Sequence, residues 1–545
     1  MLWNSIAALF RPFLHGRAII VLLPLLALLG WRLWRFTVLP LLHPSAPKEL
    51  PYWIPWNLPV IREFCVSWHY FPGHARAFFK DFNEAIDYGR NYFGGSDTPF
   101  SVTVGGVQIY ICCAPEDVAR LYRNTTTISY QHVVEDMYRG IGFTGSAFNK
   151  MFHIDPSAKH NIGMSHPLPP CHMIVEYHRR QLKSGEPTDE LLQNRVRSGI
   201  DRPLQGVVEG TSFSIIGSSG CETTVSLLKL CTDLFLHSTA TAYLGQKIWQ
   251  VNPRFMDYFE VWERESWKYM FKMPAFMSGD MIWARDGIIN TFAKYLSIPA
   301  KERSDCNDFV RSVEAMLRDV GLVEQDMAKV FLLHFWAILG NVYKAALWAI
   351  SHIVYDETLS KSIRAELLPA YREWRVDTSY LDQCPLLESL INEVLRLTVA
   401  TALLRDVISP TTLRDVTIPP GSKVPYRQLH RNQDVWGTEP LVLDPARFQN
   451  NPKLLSSKSF HPFGGGQTLC PGRVLAKQSI KYTVASLLMR FDLEIDVEMT
   501  RKAVGGDGSK PNFPQMDSTK PSPGASLPVQ GQDVYLGLKE KGHSK

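Results

Sequence analysis

Apolar residues run almost unbroken through MAKVFLLHFWAILGNVYKAALWAISHIVY, residues 327–355, with no proline and no cluster of helix breakers. A stretch apolar on nearly every face reads as one long helix buried inside a large domain. Further on, Ile480, Val484, Leu487, Leu488 and Phe491 recur three and four apart, which predicts an amphipathic helix. The alternation Phe491, Leu493, Ile495, Val497, with acidic residues between, then predicts a strand. Near the front, SVTVGGVQIYICC forms two alternating runs around Gly105–Gly106, a hairpin, and a helix is expected from Pro115. Helical patterns repeat through residues 220–375, and NFPQMDSTKPSPGASLPVQGQDVYLGL is turn-rich with a final strand. The sum is a mainly α chain with minor β, an α+β fold.

The N-terminal pattern is different. Ala18 to Trp31 is an uncharged apolar run bracketed by Arg17, Arg32 and Arg35, and apolar flanks extend it to Leu42. The core is shorter than the about 20 residues a span needs, but the flanks and snorkelling arginines lengthen it, and Pro24 would bend it. Residues 1–43 are read as a membrane anchor, with an interfacial helix as the alternative. A cleaved signal peptide is disfavoured, because Arg32, Trp34 and Arg35 follow instead of small residues. Residues 44–60 form a stiff proline-rich linker (Pro44, Pro47, Pro51, Pro55, Pro59) carrying Tyr52, Trp53 and Trp56. Those aromatics suit a membrane interface or packing onto the domain. Residues 61–545 form one large domain.

Composition narrows the class. With 45% hydrophobic and 20% charged residues in 545, the chain can bury a large core. A net charge of +5 is too mild to argue for nucleic acid. Nine cysteines include the adjacent pair Cys112–Cys113 and no CxxC, which disfavours a disulfide scaffold or a zinc cluster.

The candidate chemistry sits at Cys470, which closes FGGGQTLCPGR just before the amphipathic helix. A helix N-terminus supplies free N–H groups and positive potential that hold a thiolate, and Pro471 suits a first helical position. The glycines let the chain turn tightly and aim amides at the sulfur. An isolated cysteine is also an ordinary buried thiol. Two other patterns argue for more. Glu393 and Arg396, three apart in LESLINEVLRL, share a helix face, and Arg447 in Pro445-Ala446-Arg447-Phe448 offers a second guanidinium to the same carboxylate. A buried Arg–Glu–Arg cluster is costly to desolvate, and its use is to fix how an irregular segment packs.

Glu-x-x-Arg, Pro-x-Arg-Phe and Phe-x-x-Gly-x-x-x-Cys-x-Gly, in this order and spacing, resemble the cytochrome P450 family over roughly residues 50–540. The resemblance implies the P450 fold, with haem b (iron protoporphyrin IX) between the long central helix and the cysteine loop. It makes Cys470 the axial iron ligand, Phe463 a neighbour of the haem edge, and Glu393, Arg396 and Arg447 a structural triad. Most members place Arg or His two residues before the cysteine to grip a haem propionate. Here Thr468 stands there, and a hydroxyl cannot neutralise a carboxylate. Arg405 is the first candidate for that role, against an ordinary strand-end arginine. No Trp-x-x-x-Arg helix is evident between residues 120 and 210.

The loop spelling resembles the branch holding cholesterol 7α-hydroxylase, sterol 12α-hydroxylase and prostacyclin synthase, and Gly340, Asn341, Ala345 and Trp348 fit it. Lys344 departs, standing where those relatives have proline. Ordinary members carry an acid–threonine pair in this region to deliver protons. Asn341, the candidate catalytic residue, can orient water or substrate through its amide but cannot be an acid, and a backbone-bonded role is equally open. The resemblance implies a membrane-anchored haem-thiolate monooxygenase acting with O2 on a sterol-, terpenoid- or fatty-acid-like molecule. The alternative is an isomerase that rearranges a peroxide without a reductase; a non-catalytic carrier gains nothing from an axial thiolate. The implied setting is the endoplasmic reticulum membrane, domain toward the cytosol, with electrons from NADPH through a separate cytochrome P450 reductase and cytochrome b5 as a further partner. Arg473, Lys477 and Lys481, four apart, form a basic stripe that is either a reductase-docking face or a solvated helix face. Family resemblance also places a loop around Ser522 to Leu527 against the distal pocket.

Overall fold

In a computed structural model, residues 16–53, 73–95, 97–104, 107–183, 185–219, 222–372, 375–399, 404–424, 429–508, 510–521 and 524–541 are described. Pro55, Trp56 and Pro59 of the linker, the Gly105–Gly106 turn, and Ser522 and Pro523 lie outside them. The chain divides into two compact units, 1–133 with 402–428, and 134–401 with 429–545.

In the first unit, helix α1 (Gly16–Leu33) keeps Pro24 inside it and continues through Trp34–Val38 and Leu39–Leu42. The stretch Leu22–Leu42 is long and apolar enough to cross a membrane, and none of it is buried. Its arginines are engaged: Arg35 makes a two-pronged bond to Glu49 at 2.8 and 3.1 Å, and Arg32 donates to the Tyr52 carbonyl. Tyr52 packs against Trp31 and Phe36, so this linker aromatic is buried, whereas Trp53 stays exposed beneath the Arg32 guanidinium. The expected hairpin forms from Phe100–Val104 and Val107–Ile111, and Lys48–Glu49 adds a parallel edge strand. Helix α2 (Pro115–Arg123) starts at the expected proline, whose missing N–H would have gone unbonded there anyway. Cys112 and Cys113 are buried free thiols.

The second unit holds the large core. Helix α3 (Pro170–Gln181) leads toward α4 (Phe255–Met270) and α5 (Gly279–Ser297), and α5 packs on both α4 and the central helix. Phe292 of α5 meets Phe255, Phe331 and Phe335 at centroid distances of 5.3–5.6 Å. The central apolar run is mostly buried, as expected, but it is two helices, α6 (Glu324–Leu339) and α7 (Val342–Tyr355). Asn341 leaves helical geometry at φ −124°, with its side chain drawn to a neighbouring loop. Apolar patterning could not register this break, because the residues on both sides are equally buried. Helix α8 (Pro385–Thr398) packs on α7, and both contact α9 (Arg473–Arg490).

A four-stranded antiparallel sheet in this unit runs in the order Phe491–Ile495, Tyr535–Glu540, Glu222–Ser226, Ile215–Ser219, with Leu493 opposite Leu538 and Thr224 opposite Gly537. The expected strand from Phe491 ends two residues early. Asp496 accepts the Met499 N–H and caps a helix that begins at Val497.

Candidate functional site

The cysteine loop is closed by backbone bonds. Cys470 N donates to the Phe463 carbonyl at 2.9 Å and Thr468 N to Gly465 at 3.2 Å. Gly464 and Gly466 have φ of 74° and 57°, which a side chain would disfavour, so these two glycines are required by the turn. The Thr468 hydroxyl turns back onto the Gly465 carbonyl at 3.0 Å. Helix α9 begins at Arg473, so Pro471 belongs to the turn before it and does not occupy the expected first helical position. Burial pushes the Cys470 thiol up, while a bond from the Gly472 N–H and the charge of Arg473 pull it down. A metal ion at the sulfur would reverse that balance and release the proton.

The expected triad is assembled. Arg396 grips Glu393 through Nε and Nη2 at 2.8 and 2.7 Å, and Arg447 Nε reaches the same carboxylate at 3.0 Å. The remaining donors hold an irregular segment: Arg396 Nη1 bonds the carbonyls of His430 and Pro440, and Arg447 Nη1 that of Trp436. Glu393 is fully buried and Arg396 nearly so. One carboxylate thereby ties residues 430–447 to α8 ahead of the cysteine loop.

On the central helix, Ala337 and Asn341 are exposed, and His334 and Ile338 partly so, amid buried neighbours. These positions share one helix face, which therefore looks onto accessible space. Asn341 Oδ1 accepts the Ala525 N–H at 2.9 Å, and the Trp348 indole donates to the Ser526 carbonyl at 2.8 Å. A methyl group on Gly524 would overlap the Asn341 carboxamide. Both residues thus clamp the described part of the expected pocket-facing loop. Asn341 is bonded to backbone, but the backbone of a distant loop.

Phe463 is half-buried against the core. In the other unit, Arg405 is buried beside the rings of Tyr122 and Tyr130, with Nη1 on the Leu404 carbonyl and its backbone paired with Val424.

Three contacts escaped sequence reasoning. Arg179, in the last turn of α3, donates to the Gln467 carbonyl of the cysteine loop at 3.0 Å. Its signal is the Arg179–Arg180 pair, but without a tryptophan four residues ahead it matched no pattern. Tyr243, packed on Phe335 of α6, lies close enough to Cys470 to feel its charge. Lys344 of α7 pairs with Glu263 of α4, both buried. A cavity of about 450 Å³ lined by residues such as Arg195, Arg202 and Asp233 does not include Cys470.

The basic stripe is a correction. Lys477 pairs with Glu388 at 2.7 Å, and Lys481, whose side chain is 5% exposed, pairs with Asp382 and Glu388 at 2.9 Å each. Lys481 is a buried strut from α9 to Glu388 of α8 and to Asp382 just ahead of it, and the partly exposed Lys477 is held on Glu388. Their charges, against the opposing effect of burial, hold Glu388 at about 2, below its ordinary value of 4.5. The resulting stability is present above that ordinary value and is lost as pH falls toward 2. Lys481→Glu is expected to lower unfolding free energy by about 3 kcal/mol or more by placing three carboxylates together. Urea unfolding measures this, and an unchanged midpoint would contradict it.

The cytochrome P450 family model matches residues 235–507, just over half of the chain. The chain belongs to the cytochrome P450 family. This P450 is 27% identical over 481 residues to the cytochrome P450 monooxygenase poxD of Penicillium oxalicum, covering 85% of this chain and 90% of that protein. It is 24% identical over 341 residues to human 7-alpha-hydroxycholest-4-en-3-one 12-alpha-hydroxylase, covering 54% and 66%. With rat prostacyclin synthase it shares 28% over 225 residues, covering 36% and 44%. The branch read from the loop spelling is the one these relatives represent, and the class read from the sequence, a cytochrome P450 monooxygenase, stands.

Proposed function

We propose that this P450 is a membrane-anchored haem-thiolate monooxygenase that inserts one oxygen atom of O2 into a sterol-, terpenoid- or fatty-acid-like molecule. The observation that carries it is Cys470, one sulfur presented by a glycine turn, backed by the Gly472 amide and the start of α9. That donor set fits haem iron: a lone soft ligand that metal binding would deprotonate. Bound there, haem would supply oxygen activation, with the thiolate favouring O–O cleavage. Cys470 would hold the iron, and Phe463 and Arg405 are proposed as further haem contacts. Asn341 and Trp348 set the position of the 524–526 loop, and the face of His334, Ala337 and Asn341 receives substrate.

Exposed leucines along Leu22–Leu42 support a membrane anchor, and the membrane proposed for it is the endoplasmic reticulum, with the domain toward the cytosol. There it would meet NADPH–cytochrome P450 reductase and cytochrome b5. A second reading, isomerisation of a peroxide, draws on the same turn. Residues 340–344 carry no acid–alcohol pair, and Lys344 is already paired. The test is the reduced, carbon monoxide-bound spectrum followed by product analysis with and without NADPH and reductase. Product only with NADPH supports the monooxygenase, and turnover of a lipid peroxide without it supports the isomerase.

A further inference from the structure

Glu263 carries an unusual load for a core carboxylate. Its side chain is 3% exposed; Oε1 pairs with Lys344 Nζ, and Oε2 has no hydrogen-bond partner of sound geometry. The Trp336 indole beside it helps hold the charge, but burial is the larger effect and pushes the carboxyl up. Apolar residues of the same volume would be no less stable than such a pair, so stability alone does not explain it.

The surroundings give it two sides. On one, a cavity of about 30 Å³, bounded by Glu263, Lys344, Trp267, Asp517, Lys520 and Gln530, has room for a water molecule, which needs about 10–15 Å³. Asp517 and Lys520 are partly exposed and Gln530 is exposed, so this cavity begins at solvent. On the other side is the interrupted turn of the central helix: a Cβ on Gly340 would come within 2.6 Å of Oε2. Asn341, the next residue, looks onto the accessible face. The charged and titratable groups around the carboxyl are Lys344 and Tyr343 from α7, Glu260 and Arg264 from α4, and Asp517 and Lys520 at the rim.

We propose that Glu263 is a proton-carrying carboxylate, which passes protons from the water-sized cavity across Gly340 to the interrupted turn, with Lys344 as its fixed counter-ion. This rests on the monooxygenase reading. Inserting one atom of O2 into a C–H bond and releasing the other as water consumes two electrons, supplied by NADPH through the reductase, and two protons. Each proton is taken up on Oε2 from water and leaves from the same carboxyl, so Glu263 and Lys344 end unchanged. Glycine at 340 is what lets a carboxyl on another helix reach this turn, which itself carries no acid–alcohol pair.

The test compares the full-length parent with the double variant Glu263→Gln/Lys344→Met, which leaves no unpaired buried charge. Both are supplied with reductase, NADPH and lauric acid as probe. The variant is expected to keep the parent's carbon monoxide spectrum while the share of NADPH electrons recovered as hydrogen peroxide rises at least threefold. An unchanged share overturns the proposal. Infrared titration of the parent in H2O and D2O supplies a readout apart from turnover: a protonated-carboxyl band that shifts on deuteration and moves in Glu263→Asp is expected. Absence of any such band overturns the proposal even where the double variant does not fold. A parent without a thiolate spectrum would instead sink the monooxygenase reading, and the infrared result would still judge Glu263.

Discussion

Cys470→Ala is expected to fold and to lose the red-shifted Soret band of the reduced, carbon monoxide-bound protein, together with all NADPH-dependent turnover. Folding should survive because the loop is held by its backbone: the Cys470 N–H to Phe463, the turn at Gly466–Thr468 and the Arg473 bond to the Cys470 carbonyl all remain. Truncating this partly exposed side chain removes little packing, about 1 kcal/mol. The proposed ligand, in contrast, has no substitute nearby in the loop, where Thr468 is bonded to Gly465. A variant that kept the band would show that another residue binds the iron, and the assignment of Cys470 would be wrong.

Glu393→Ala should act through folding. Removing the carboxylate leaves Arg396 buried without its partner and withdraws the anion from Arg447, a loss of about 3–5 kcal/mol. Domains hold only about 5–15 kcal/mol in reserve, so the yield of folded protein should fall sharply. The loosened segment should be 430–447, whose carbonyls the two arginines hold. Thermal unfolding and hydrogen exchange report this, with protection lost first at Trp436. Replacing Glu393 and Arg396 together by leucine and methionine should cost less than Glu393→Ala, because only the more exposed Arg447 is then left without its anion. Equal stability of Glu393→Ala and the parent would mean that the triad does not support this segment.

Much of the site is legible in the amino-acid sequence because it is local. Glu393 and Arg396 lie one turn apart, and the glycines that precede Cys470 announce a tight loop wherever it is placed. Arg447 is legible by its motif. The basic stripe misleads because a helical spacing of lysines says which face they share but not what that face meets; Asp382 and Glu388 approach from elements about ninety residues earlier.

Periodicity, turn chemistry and motifs that act within a few residues suffice for the helical class, the apolar N-terminal helix, the hairpin, the cysteine loop and the family. They do not reach the break of the central helix at Asn341, the clamp of Asn341 and Trp348 on the 524–526 loop, or the meeting of Lys344 with Glu263. Those three outcomes arise in the folded chain alone. They depend on side chains brought together from residues 81 to 184 positions apart, where burial dictates which polar groups must find each other.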